Sequence, residues 1–564
     1  MKLTDCIAKY LKDELHVDTV FGVTGGFITH LFDSLDKAGI RYICCNHEQA
    51  CAMAADCYTR VSGKIGIVLT TSGPGAANAI NGVMCAHYDS IPMIVITGQC
   101  PQSSIDKNKE CRQRGFQEVN VKDIYKPFTK YSTIIDEPND VLKKLDEAYY
   151  HATTGRKGAV VVDLPDDIQR ASVSYNYISR FQNNKSIEYP SVDEYSLENN
   201  IKYCKKPLVV VGRGCKLDNC EQLVIELINK KQIPFVTTWG ATDILEFDHP
   251  LNIGNFGTIG TIYGNKAVQE ADLLIVLGSR LDSHLTTSEA KTFAPRAKKI
   301  IVDIEQSEID QMKRRGIDSF YIRNRVRDVC KVLMRHEFNK DIRWIKYLQS
   351  LKVKYPVYKK DTNYPFGTVN PYVFLDELHK ISNEGDIIVT DAGANLSYTM
   401  QGYKVKKNQH LISDFNHSTM GYSLPASIGA SLAGENVICI IGDGAFQMNV
   451  QELATIRKLK LPIKIFIFDN KGYGMIMQTQ DDWLESRYVA SRNEDGLCLP
   501  DNIQNIVKAY GLDVYTINNH NELKKLKGIL SSNKPSVTIV NMSQEQRIPL
   551  KLKVGQRLED MNYG

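Results

Sequence analysis

Apolar positions in this chain fall in short runs separated by helical patterns. Between residue 1 and about residue 175 the runs are Thr19–Phe21, Arg41–Cys45, Ile65–Leu69, Met93–Thr97 and Ala159–Asp163, and most have Gly or Pro close by. Near-continuous apolar runs divided by helical stretches are how buried parallel strands with crossover helices read. A second series follows: Pro207–Gly212, Ile233–Thr238, Asp272–Leu277 and Ile300–Ile304, then a charged stretch from about 306 to 358 that reads as helical. The third consists of Ile387–Thr390, Val437–Ile441, Ile463–Phe468 and Ser536–Val540. The pattern predicts three α/β blocks, 1–175, 195–340 and 366–545, and a polar tail, 546–564. Polar, irregular segments read as linkers at about Ser174–Glu198 and at Asp361–Pro365. The first and third blocks could be two copies of one strand-and-helix plan.

Length and composition narrow the class. At 564 residues, with 69 Lys+Arg against 65 Asp+Glu, the chain has no basic excess to suggest a nucleic-acid or membrane-surface protein. Apolar residues at 43% and charged residues at 24% exclude a disordered chain or a bare coiled coil. The fourteen cysteines are scattered and form no Cys-x-x-Cys pair, so free thiols in a reducing compartment are expected. No secretory h-region opens the sequence, and no apolar run nears the ~18 residues that span a bilayer. A cytoplasmic enzyme of several domains is the expectation.

The third block carries the strongest chemical signal. Val437–Ile441 ends in Gly442-Asp443-Gly444-Ala445, and the next strand, Ile463–Phe468, ends in Asp469-Asn470-Lys471-Gly472-Tyr473-Gly474. Asp443 and Asn470 thus fall at the carboxyl ends of two strands, where open α/β sheets bind ligands. A carboxylate, an amide carbonyl and a backbone carbonyl are hard oxygen donors suited to Mg²⁺ and a diphosphate, and the glycines permit close backbone approach. In the first block, Glu48 follows the strand Arg41–Cys45 at the start of a helical run. Alone it would be a helix cap. It is accompanied by the glycine-rich turn Thr70–Asn78, which includes Gly73, and by Ile91–Gln99.

With these residues in place the sequence resembles the thiamine-diphosphate enzymes, and among them the acetolactate-synthase-like group, over nearly its whole length. Gly22–Gln99 and Phe415–Gln478 match most closely. The resemblance implies three doubly wound parallel-sheet α/β domains: pyrimidine-binding, central Rossmann-like and diphosphate-binding. It implies a homodimer or homotetramer with active sites at the subunit interface, each between the first domain of one subunit and the third of another. It casts Glu48 as the glutamate that hydrogen-bonds the aminopyrimidine, and Asp443, Asn470 and the Gly472 carbonyl as Mg²⁺ ligands. Gly442, Gly444 and Ala445 line the diphosphate, Met420 props the cofactor, and Gly73, Asn78 and Met475 are further cofactor contacts. Phe116 and Gln117 resemble an active-site Phe-Gln, and Lys130 a lysine at the channel. The reaction implied is decarboxylation of a 2-oxo acid, pyruvate foremost, with transfer of the two-carbon unit to a second carbonyl.

The sequence departs from acetolactate synthases where the second substrate is chosen. In Gly278-Ser279-Arg280-Leu281-Asp282-Ser283-His284, His284 stands where the family has an arginine that grips the acceptor carboxylate. An imidazole is a poor replacement for a bidentate guanidinium. Thr479 stands where the family has a tryptophan, and Phe27 where a small residue is usual. The loop Pro101–Gly115 is long and charged (Asp106, Lys107, Lys109, Glu110, Arg112, Arg114). These differences suggest another, hydroxylated acceptor, and Arg557–Met561 resembles the tail of a sugar-pathway subgroup. Acetolactate synthase itself and a simple 2-oxo-acid decarboxylase are the alternatives. FAD would lie against Val211–Cys215, Gly254–Gly257, Gly278–Arg280 and Asp303–Glu305; a vestigial, empty fold is the other reading.

Overall fold

The computed structural model describes residues 1–563 apart from 109, 176–186, 340, 359–366 and 435. The proposed linker Asp361–Pro365, Lys109 and most of the first half of the other linker lie outside the described residues. No helix among the described residues is long and apolar enough to cross a membrane, and all fourteen cysteines are unpaired.

Three six-stranded sheets organise the chain. The first contains Thr19–Gly22, Arg41–Ile43, Gly66–Thr70, Met93–Gln99, Tyr131–Ile134 and Ala159–Pro165. Numbered along the chain, its strands lie in the order 2-1-3-4-6-5. The third sheet contains Ile387–Thr390, His410–Ile412, Val437–Gly442, Ile463–Asp469, Asp513–Ile517 and Ser536–Asn541, again in the order 2-1-3-4-6-5. The suspected duplication of one plan is therefore present at the level of topology. The central sheet is different: Pro207–Val211, Phe235–Thr237, Asn252–Asn255, Leu273–Leu277, Lys298–Asp303 and Phe320–Arg323 lie in the order 6-5-4-1-2-3, a dinucleotide-fold arrangement. The described pairings are parallel, so the middle strands are covered on both faces and read as apolar runs.

Two expectations are corrected. The charged stretch 306–358 is not wholly helical: Phe320–Arg323 is an edge strand between helices Gln306–Arg314 and Val326–Leu333, before helix Ile342–Lys354. Helix Glu194–Ile201 begins inside the supposed first linker, and its Leu197 and Ile201 join the central core.

The first and third domains share one hydrophobic core. Helix Glu48–Ser62 packs on helix Ser423–Ala433 so closely that a Cβ on Gly429 would sit 1.8 Å from the Ala54 carbonyl oxygen. A buried polar cluster closes this junction. Arg60 binds Asp56 and Asp89, each at 2.8 Å, and the Tyr422 hydroxyl donates to Asp56 at 2.5 Å. The tail is strapped down. Gln478 and Ile548 exchange hydrogen bonds, Arg547 pairs with Asp481, and Leu558 and Met561 are buried in the central domain's core.

Candidate active site

Strand carboxyl ends and the turns after them supply the chemistry. Glu48 is the first residue of helix Glu48–Ser62, whose N-cap His47 accepts the Gln49 N–H. Its carboxylate is buried; Oε2 accepts from the Asn78 amide at 2.9 Å, and Oε1 lies over Gly75. Gln117 reaches the same corner. It has φ +58°, its Cβ and carbonyl border Gly73, and Ser72 Oγ bonds its Oε1 at 3.3 Å. Glu118 steadies the segment by accepting the N–H groups of Asp106, Arg114 and Gly115. Phe116, next in chain, is 78% exposed.

The structure thus brings Glu48, Gly73, Asn78 and Gln117 together in the first domain. Lys130 is not with them. Its ammonium donates to the Thr154 carbonyl at 2.6 Å, and burial pulls its pKa down to about 8. Thr154 and Arg156 line a different cavity, so Lys130 stands behind that cavity's wall.

In the third domain, Asp443 opens helix Asp443–Met448. Its Oδ1 accepts the Gly444 N–H at 2.7 Å and its Oδ2 the Gly472 N–H at 3.2 Å. The two glycine turns therefore meet at this carboxylate. Asn470 abuts Gly474 at the start of helix Gly474–Trp483, which carries Met475. Burial and the neighbouring Asp469 carboxylate push the Asp443 carboxyl up to about 8. Asp469 is itself buried and has one oxygen with no partner among the described residues; its other oxygen meets Lys471 at 2.6 Å. Crowded carboxylates with an orphaned oxygen, beside an amide and a backbone carbonyl, are a donor set that fits a hard divalent cation.

The sequence reading missed Asp391. It follows strand Ile387–Thr390, and its two oxygens accept the N–H groups of Gly421 and Ser423. That fixes the turn bearing Met420. Burial pushes Asp391 up to about 6. An Asp at a strand end before Ala392-Gly393 is the signal that could have found it.

A cavity of about 790 Å³ lies where the three domains meet. It is lined by Arg213, Gly214, Gly278, Ser279, Arg280, Asp303 and Ile304 from the central domain, Arg156 from the first, and Phe415, Asn416 and Ser418 from the third. Arg213 lies 3.8 Å from Asp89, and its Nε is buried without a partner among the described residues. Gly254–Gly257, expected at this cavity, do not line it. Gly257 instead backs His284 from behind, with a Cβ there meeting the His284 carbonyl. His284 itself lines the cavity, edge-on to Trp239 at 4.6 Å between ring centres, and burial pulls its pKa down.

Comparison with known proteins agrees domain by domain. The N-terminal TPP binding domain of thiamine pyrophosphate enzymes matches residues 1–124, their central domain residues 198–331 and their C-terminal TPP binding domain residues 391–540. The acetolactate synthase large subunit of Lactococcus lactis is 32% identical over 97% of this chain and 94% of its own. That of Porphyra purpurea is 34% identical over 90% of this chain and 86% of its own. The acetolactate synthase isozyme 2 large subunit of Escherichia coli is 31% identical over 94% of each. Its three α/β domains, its paired strand-end turns and these relatives make the chain a member of the thiamine pyrophosphate enzymes, a carboligase of the acetolactate-synthase-like group.

Proposed function

We propose that this carboligase takes pyruvate as donor and passes the two-carbon unit to an acceptor that is not a second 2-oxo acid. The observation that carries this reading is His284. The imidazole is half-buried, edge-on to Trp239 in the cavity wall, and desolvation lowers its pKa, which favours the neutral ring; it cannot grip a carboxylate as an arginine would. The nearby Arg280 is engaged by Asn416 and faces Asp282 at 3.7 Å. A polar acceptor without a carboxylate, such as a hydroxylated carbonyl compound, suits this wall.

When bound, thiamine diphosphate supplies the electron sink that lets CO₂ leave. The chain's own residues do the rest. Glu48, oriented by Asn78, would hold the aminopyrimidine ring and supply acid–base chemistry there. Asp443, Asn470 and the Gly472 carbonyl would hold Mg²⁺; Gly442, Gly444 and Ala445 would border the diphosphate. Met420 and Met475 supply apolar support, and Gln117, with Phe116 beside it, faces the reacting carbonyl. Lys130 is read as a support of the three-domain cavity.

Glu48 makes its contacts to Asn78 and Gly75 of its own domain. Phe116 of the first domain and Ile476 and Trp483 of the third are exposed beside the two half-sites. Both features support a homodimer whose active sites lie between subunits. FAD is the reading for the 790 Å³ cavity, where Arg213 would hold its diphosphate. The test of the function is product analysis with pyruvate: acetolactate formed at a good rate would overturn the altered acceptor, and acetaldehyde alone would point to a decarboxylase.

A further inference from the structure

Behind the first-domain half of the site lies a set of buried polar residues with no assigned role. Strands Met93–Gln99 and Ala159–Pro165 run side by side, with Thr97 level with Asp163 and Gln99 level with Pro165. Asp163 is 2% exposed. It accepts from Thr97 Oγ1 at 2.6 Å and from Gln99 Nε2 at 3.0 Å, and among the described residues no Lys or Arg pairs with it. Burial pushes its pKa up to about 7. An uncompensated buried carboxylate is costly, so its geometric consequence is informative.

That consequence is the orientation of Gln99. Gln99 turns its amide NH₂ toward Asp163, which accepts from it. The same NH₂ then donates to the Val119 carbonyl at 2.7 Å, and Gln99 Oε1 accepts the Cys100 N–H at 3.0 Å. Val119 is two residues past Gln117, the residue that borders Gly73. Just downstream of Asp163, Asp167 Oδ1 accepts the Gln102 N–H at 3.1 Å. The buried Gln169 donates to the Phe27 carbonyl at 2.6 Å and to the Leu164 carbonyl at 3.0 Å. Phe27 ends the Gly25-Gly26 turn, which touches Thr71, and Thr71 touches Gly75 beneath Glu48. One short segment, Asp163–Gln169, therefore ties down both ends of the Gln102–Val119 loop and the turn at Phe27.

We propose that Asp163, acting through Gln99, and Gln169 are positioning residues for the carboligase reaction. Together they clasp the Gln117 segment and the Phe27 turn on either side of the Glu48 pocket. The proposal rests on the reading of Gln117 as an active-site residue. A displacement of about 1 Å at such a group can cost about 10²-fold in rate, so the clasp acts on turnover more than on cofactor binding.

A double-mutant cycle on the holoenzyme tests it. Asp163→Asn leaves one acceptor oxygen where Thr97 and Gln99 each have their own in the wild type, which weakens the hold on Gln99. It is expected to lower kcat for CO₂ release from pyruvate at least tenfold, with the thiamine diphosphate Kd by titration calorimetry within about twofold of wild type. The double variant Asp163→Asn/Gln117→Ala is expected to be no slower than Gln117→Ala alone, because both changes remove one contribution. Multiplying losses beside a slowed Gln117→Ala would overturn the clasp and leave the site reading standing. Wild-type turnover in Gln117→Ala would overturn the site reading and the clasp's role in catalysis together. If Asp163→Asn does not fold, Gln99→Met, which cuts the link to Val119, completes the same cycle with the same outcomes.

Discussion

The Asp391 carboxylate accepts the Gly421 backbone N–H at 2.8 Å, and its other oxygen takes the Ser423 N–H at 2.7 Å. The end of one strand thereby fixes the turn that presents Met420 to the cofactor side of the third domain. Asp391→Ala leaves two buried donors unpaired. It should cost roughly 2–4 kcal/mol of stability by denaturant titration and lower turnover about tenfold or more. Wild-type turnover in that variant would show that the turn holds itself.

Glu48→Gln keeps the size of the side chain and removes its acid–base function. CO₂ release should fall by about 10²–10⁴-fold, the range for a lost general acid or base, with an unchanged circular dichroism spectrum. Full activity in the variant would remove Glu48 from its role. Asn78→Ala, which frees only Glu48 Oε2, should be milder.

Divalent cation removal should be visible without any assay of turnover. Above about pH 8, where the Asp443 carboxyl ionises beside Asp469 in a buried corner and the two repel, a chelator should lower Tm, and Mg²⁺ with thiamine diphosphate should raise it by mass action. Asp469→Asn relieves the repulsion and should raise the Tm of the chelated protein. A chelated variant less stable than chelated wild type would contradict this account of the corner.

Asp163 gives a pH prediction of definite sign. Its folded pKa, about 7, lies above the ordinary carboxyl value of about 3.9. Between about pH 4 and pH 7 the folded state holds a proton that the unfolded chain has released, so this group's contribution to stability falls as pH rises through that window. Asp303 and Asp391, each near 6, act in the same direction. Asp243, held low by Lys216 and His410 despite its burial, acts oppositely, its contribution being lost as pH falls below about 4. Stability of Asp163→Asn relative to wild type should therefore improve as pH rises from about 4 to 7. A constant difference would contradict the raised pKa.

The legible part of the fold is its interior. Central strands such as Val437–Gly442 and Ile463–Asp469 are buried along almost their whole length, so they appear in the sequence as apolar runs. Tyr131–Ile134, Asn252–Asn255, Phe320–Arg323, His410–Ile412 and Asp513–Ile517 were not legible. Each is at the edge of its sheet, covered less completely and mixed in composition. Among site residues, Glu48, Asp443 and Asn470 stand out because each follows an apolar strand in a turn. Lys130 precedes strand Tyr131–Ile134, which carries it toward Thr154 and the three-domain cavity. Asp391 is signalled only by its place at a strand end before Ala392-Gly393, and Gln99 and Asp163 act through hydrogen bonds to partners distant in sequence, which no local pattern announces.

The flavin reading has a spectroscopic test. Protein purified from cells should be yellow, with flavin released on denaturation, and Arg213→Ala should lose the colour. Colourless wild-type protein that takes up no added FAD would mark the cavity as a vestige.

The central claim is most directly tested by following CO₂ and carbon–carbon products from pyruvate with thiamine diphosphate and Mg²⁺, with and without a hydroxylated carbonyl acceptor. The account predicts slow CO₂ release with pyruvate alone, acceleration on adding the acceptor, and a product carrying two extra carbons. Rapid acetolactate formation from pyruvate alone, unaffected by the acceptor, would contradict it.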